Sequence, residues 1–387
     1  MKLLKRALFL TVILIGIAAS SGSYAENETT QKIMWKLYDA IAYLLPLSVR
    51  ENPTLTEADQ ALVDSHLAHL RTGANELAKH GGSRGENFEL LAKSFNETTK
   101  DIEDGFRGQW PGYSYHSLTE LTQHCVACHS RLPAESVPAL GQKILARVNT
   151  EEFATWNLVN LLIATREFDA AMNKLEKALL DPLTPATELE YSGQLITYLR
   201  VAINVDGDVR RPYEFFDKFL QREDLPYYLS FRIKHWQNDL ETLGKYLNEP
   251  PSLKIAKKIL TDTDKITHVP GDAVRAVSDL IAAAIMQQLV DSSVDISPNE
   301  AAEAYFNLGV IALRTFELDF SVPELEYLFV AAIKSEPNGP FAKTAYRYLE
   351  EFGYIEDPDA PAGTGPLVQR TVDLGELRKQ AGIKGSQ

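Results

Sequence analysis

The chain has 387 residues, two cysteines and a formal charge of −14, with 53 acidic side chains against 39 basic ones. This acidity argues against a nucleic acid partner, and two cysteines cannot supply a disulfide framework, so packing must hold the fold. The length exceeds what one hydrophobic core usually serves, which makes two domains the expectation.

Residues 1–25 read as a secretory signal peptide. Lys2, Lys5 and Arg6 form a basic start, Ala7 to Ala19 an apolar run of 13 residues, and Ser23-Tyr24-Ala25 a small-residue cleavage site before Glu26. The run is too short to span a bilayer unaided. Its removal would take the formal charge from −14 to −17 and leave an exported, periplasmic protein with no membrane span.

Apolar spacing then predicts four amphipathic helices within 26–133. The first carries Ile33, Met34, Leu37, Ala40, Ile41, Leu44 and Leu45 and ends near Pro46. The second opens on the capping box Thr54-Leu55-Thr56-Glu57, runs its seam through Val63, Leu67, Leu70, Ala74 and Leu77, and stops at Gly81-Gly82. The third carries Phe88, Leu91, Phe95, Ile102 and Phe106; the fourth opens on the capping box Ser117-Leu118-Thr119-Glu120 and places Leu118, Leu121, Cys125, Cys128 and Leu132 on one face before Pro133. Short connections make an antiparallel four-helix bundle the economical packing.

The fourth helix holds both cysteines, in Cys125-Val126-Ala127-Cys128-His129. Cys-x-x-Cys-His reads as a c-type haem attachment site: the two thiols can add to the two vinyl groups on one haem edge, and the next residue brings an imidazole to the iron. A zinc site would need a second ligand pair, and no such pair is evident in the sequence. A thioredoxin-like pair would stand at the start of a helix after a strand, and a disulfide across two residues would be strained and leave His129 unexplained. The reading is one covalent haem c held by Cys125 and Cys128 with His129 as the proximal metal ligand. His124 is expected to be partly exposed.

Helix number, order and motif position make this region similar to the cytochrome c′ and cytochrome c-556 class, on the residues Cys125, Cys128 and His129. The resemblance covers about the first third of the exported chain. It implies that the other side of the iron takes either a methionine of the first helix or no protein ligand. Met34, the one methionine between the signal segment and the motif, is the candidate; an open site near Ile33 or Leu37, or a histidine from among His66, His69, His80 and His116, stays open beside it.

Residues 134–140 read as a linker. Residues 141–356 continue in helical periodicity, and two segments resemble tetratricopeptide repeats. One places Leu158, Leu162, Ala171, Leu175, Ala178 and Pro182 at the packing positions; the other runs Tyr305-Phe306-Asn307-Leu308-Gly309 and then Phe329, Ala332 and Pro337. A degenerate tetratricopeptide-like solenoid is expected, offering a surface for a redox partner protein or membrane-associated complex. The aromatic group from Tyr213 to Trp236, which includes Tyr227, Tyr228 and Phe231, is expected in the core. Residues 357–387 are a tail, with a short helix around Leu374 to Ala381.

The fold class expected is therefore all-α, a haem-bearing bundle followed by a helical array. The function expected is electron transfer by an exported monohaem cytochrome rather than enzymatic turnover, with a homodimer possible. Binding of nitric oxide or carbon monoxide at an open distal site, and a scaffold in which haem is secondary, are the alternatives.

Overall fold

Residues 29–45, 47, 57–81, 86–108, 118, 121, 124–125, 128–129, 142, 145–146, 149–191, 193–264, 273–291, 296–315, 322–351 and 374–383 are described by the computed structural model. The signal segment, the 134–140 linker, His116, His268 and the stretch 352–373 lie outside them. The regular structure of the described residues is all helical, with no strand among them.

The chain divides into two compact units, Met1–Tyr115 and His116–Gln387. This division precedes the haem motif, whereas the sequence reading closed the first domain after it, at Pro133.

In the first unit, helix α1 (29–45), α2 (Glu57–Gly81) and α3 (Glu86–Arg107) form because each carries an apolar stripe at helical spacing. Ile33, Leu37, Ala40, Leu44 and Leu45 of α1 are buried, as are Val63, Leu67, Leu70, Ala74 and Leu77 of α2 and Leu91, Phe95 and Ile102 of α3. Helices α1 and α2 approach closely at Gly73, where an added Cβ would lie 2.8 Å from Leu37 Cδ2. The Lys36–Glu76 ion pair at 2.8 Å and a 2.9 Å hydrogen bond between Thr30 Oγ1 and His80 Nε2 tie the same two helices. Arg71 of α2 clamps α3, donating to the Asn96 carbonyl at 2.6 Å and to Thr99 Oγ1 at 3.0 Å while pairing with Glu103 at 3.3 Å.

In the second unit, helical turns at Leu118, Leu121, His124–Cys125 and Cys128–His129 precede α4 (Thr155–Ala164) and α5 (Phe168–Leu179). These two pack as a hairpin, burying Leu158, Leu162, Ala171 and Leu175. Helix α6 (Ala186–Tyr191) leads to α7 (Gln194–Arg200), which runs on into a π-helical turn, Val201–Val205. Then come α8 (Arg210–Phe219), α9 (Tyr227–Leu243), α10 (Leu253–Asp264) and α11 (Ala276–Asp291). Helices α12 (Pro298–Thr315), α13 (Val322–Ser335) and α14 (Pro340–Glu351) follow, and α15 (Leu374–Gln380) is the last.

Consecutive helices from α10 to α14 pack on one another in order, as an array of hairpins does, and α11 also meets α7, the π turn and α9. That explains its composition. Ala273–Asp291 is the one stretch among the described residues long and apolar enough to cross a membrane, and it is mostly buried within the fold. Helix α15 docks on α13 and α14 through buried Leu377 and Ala381, and its Gln380 carbonyl accepts the Asn338 N–H at 2.7 Å.

The aromatic group divides in two. Phe215, Phe216, Phe219 and Trp236 are core, with Phe216 and Trp236 ring centroids 5.7 Å apart. Tyr227 and Phe231, expected in the core, are 86% and 56% exposed, and Tyr228 is also exposed. The buried face of α9 is set by Leu229, Ile233, Trp236 and Leu240. Tyr227 and Phe231 share a helical face with each other and not with that one.

Candidate haem-attachment site

The motif segment is seated by its own apolar stripe. Leu118 and Leu121 are almost fully buried, and one turn further on come Cys125 and then Cys128, both half-buried. Three-residue spacing on a helix puts the two sulfurs on one side, a turn apart. Cys125 Sγ leans back on the Leu121 carbonyl at 3.7 Å. Burial, and then the neighbouring Cys128, push the Cys125 thiol up to about 12, so it is protonated at neutral pH.

His124, expected to be partly exposed, is buried at 6% exposure. It stands three residues after Leu121 just as Cys125 stands four after it, so both fall on the seam side of the turn. Burial lowers its imidazole to about 4 and keeps it neutral.

His129 carries the most informative contact. Its Nδ1 lies 2.5 Å from the backbone carbonyl oxygen of Ala164, the last residue of α4. A carbonyl can only accept, so Nδ1 is the protonated nitrogen and Nε2 of the neutral ring holds the lone pair. Burial, with a smaller contribution from the Arg166 charge, lowers the imidazole to about 4 against the opposing Ala164 bond.

The end of α4 explains why that carbonyl is positioned. Glu167 N–H donates to Leu162 O at 2.8 Å and Arg166 N–H to Ile163 O at 2.9 Å, the pair of bonds that defines a Schellman cap. Thr165 adds its hydroxyl to the Leu161 and Leu162 carbonyls at 2.9 and 3.0 Å. The His129 N–H thus meets the negative end of the α4 dipole. The left-handed residue of the cap, normally glycine, is Arg166, with φ of 62°; a side chain there costs about 1 kcal/mol over glycine. Its guanidinium lies 6.0 Å from the Phe168 ring.

This donor set fits a c-type haem. Two thiols a turn apart can carry thioethers, and an imidazole whose Nδ1–H is held by a carbonyl is prepared to offer Nε2 to iron. Among the described residues no three His, Cys, Asp or Glu side chains converge as a metal site, and this cofactor asks for one imidazole.

Met34, the distal candidate, is half-buried on α1 of the first unit, beside buried Ile33 and Leu37. His66 stacks on Tyr43 at 4.2 Å, His69 is exposed, and His80 is engaged with Thr30. Ala164 and Arg166 carried no signal in the sequence: one acts through its backbone and the other occupies a conformation that its residue type does not advertise. Comparison of the chain with family models, curated proteins and solved structures finds no match.

Proposed function

We propose that the chain is an exported, periplasmic monohaem c-type cytochrome that transfers electrons to or from a partner protein or membrane-associated complex. The observation that carries this is the Nδ1–H bond from His129 to Ala164 O at 2.5 Å, beside two cysteines a helical turn apart. Cys125 and Cys128 would hold the haem by thioethers, and His129 would ligate the iron through Nε2. When bound, the haem supplies a one-electron ferric–ferrous couple.

The residues around it do the rest. The Ala164 carbonyl fixes the tautomer and ring orientation of His129, and Leu118, Leu121 and His124 seat the segment away from water. Met34 is the candidate sixth ligand, whose thioether would favour a high potential. The helix pairs α4–α5 and α12–α13 stand as tetratricopeptide-like repeats that dock the partner, and the acidic surface favours a basic one.

The test is a visible spectrum of the purified full-length protein, oxidised and reduced, with a denaturing gel stained for haem. Haem that stays on the chain in the gel and is lost in the Cys125→Ala/Cys128→Ala variant supports the reading. Absence of covalent haem from protein exported by a host competent in haem attachment would overturn it. A six-coordinate spectrum that turns high-spin in Met34→Ala assigns the distal ligand. Rapid carbon monoxide binding without ligand displacement would favour gas binding over electron transfer.

A further inference from the structure

We propose that the outer face at the start of α9, together with the α5–α6 loop, is the docking surface for a basic protein partner that presents an apolar side chain flanked by arginine or lysine. The proposal rests on the reading above for the existence of a partner and is independent of the haem chemistry.

Among the described residues five large hydrophobic side chains are exposed, and four of them fall here: Leu183 at 89%, Tyr227 at 86%, Phe231 at 56% and Tyr228 at 45%. The fifth, Leu62, belongs to α2. Helix α9 is anchored from its opposite side by Leu229, Ile233, Trp236 and Leu240, so polar residues at 227 and 231 would serve the fold equally well. Grouped apolar side chains left in water mark interaction sites.

The α5–α6 loop is held in place. Asp181 Oδ1 accepts the Leu183 N–H at 2.9 Å, and Pro182 and Pro185 bracket the turn. Arg222 donates to the carbonyls of Asp181 and Thr184 at 3.1 and 2.7 Å, and Asp224 Oδ2 accepts the Ala186 N–H at 2.8 Å. Asp224 stands three residues before Tyr227, so these bonds seat Leu183 beside the first turn of α9. An apolar group already fixed in its place loses little entropy when a partner covers it.

Charge selects the occupant. The second unit carries 39 acidic side chains against 27 basic ones. Beside the patch are the exposed carboxylates of Glu188 and Glu223, and Lys234 is the exposed cation of the same α9 face. A second copy of the chain would bring its own negative charge, and an anionic lipid surface would be repelled. Arginine suits both features, since its guanidinium pairs with carboxylates and stacks on tyrosine and phenylalanine rings.

The experiment selects a random dodecapeptide library, displayed on phage, on the immobilised full-length protein and in parallel on Tyr227→Ser/Phe231→Ser. Peptides recovered on the wild type alone should combine arginine or lysine with leucine or an aromatic residue. The best of them, made synthetically and read by fluorescence anisotropy, should bind about tenfold more weakly to Tyr227→Ser/Phe231→Ser and to Leu183→Ser, and more weakly as salt rises. All three substitutions are at exposed positions, so thermal midpoint and covalent haem content should hold. Failure to recover peptides specific to the wild type, or recovery of uncharged or acidic ones, would overturn the proposal. So would pelleting with phosphatidylcholine vesicles that the double variant loses, which assigns the patch to lipid, or a dimer in sedimentation equilibrium that it loses, which assigns the patch to a second copy. Peptide binding as expected in a protein without covalent haem would overturn the cytochrome reading and leave the docking surface standing.

Discussion

Arg314 of α12 grips Asp279 of α11 with two hydrogen bonds of 3.0 Å, one to each carboxylate oxygen. Asp279 is almost fully buried, and Arg275 supplies a further contact at 3.3 Å. Burial raises its carboxyl while Arg314 and then Arg275 oppose that rise. Arg314→Met should therefore cost about 2–3 kcal/mol, because it removes the stronger partner of a charge that stays buried. Denaturant melts would show it, and Asp279→Leu added to Arg314→Met should recover most of the loss.

Gly309 of α12 faces the Phe329 ring of α13, and a Cβ there would sit 2.7 Å from it. The ring cannot retreat, since it stacks on Tyr348 at 5.2 Å and meets Phe306 at 6.1 Å. Gly309→Ala gains about 1 kcal/mol of helix propensity and loses about 1–3 kcal/mol to overpacking. The expected net loss is about 1 kcal/mol by the same two terms. Adding Phe329→Leu should cancel the overpacking part, which a double-mutant cycle would measure.

Arg222 closes the loop between α5 and α6. It donates to the carbonyls of Leu179 at 2.7 Å, Asp181 at 3.1 Å and Thr184 at 2.7 Å, and pairs with Asp224 at 2.8 Å. Its side chain is only 5% exposed. Arg222→Met should cost about 3 kcal/mol through the carbonyls it strands. Limited proteolysis should then cut near Leu183, already 89% exposed, before any other site from α4 to α6.

Asp101 makes stability fall as pH rises. Burial, then the Glu97 charge, lift its carboxyl from 3.8 to about 6. Between those values the folded chain keeps a proton that the unfolded chain has lost, so this group favours folding below pH 3.8 and penalises it progressively through pH 6. Asp101→Asn should raise the thermal midpoint at pH 7 by about 2–4 °C and leave it unchanged near pH 4. Asp206, raised to about 6 chiefly by burial, gives the second unit a slope of the same sign.

Helical class and the seams of α1 and α2 were legible because burial follows the 3.6-residue period: Val63, Leu67, Leu70, Ala74 and Leu77 are all buried. The proposed attachment site could be picked out in the sequence because Cys125, Cys128 and His129 fall within five residues. What holds His129 could not. The Ala164 contact spans 35 positions and uses a backbone oxygen, which has no sequence signature. The outward turn of Tyr227 and Phe231 was equally hidden, since i,i+4 aromatics look alike on either face until the neighbouring helices choose one.

The position of α11 has a consequence for how the second unit comes apart. It is held by α7, the π turn and α9 from earlier in the chain and by α10 and α12 beside it, so the downstream hairpins share a wall with the upstream ones. A stack of independent repeats can fray from its end, one pair at a time. Here α11 is the shared wall, and its amides should exchange with deuterium last, together with those of α9, as a single opening unit. Truncation after Asp264 would strip that wall from α7 and α9 and cost the protein far more than the missing helices.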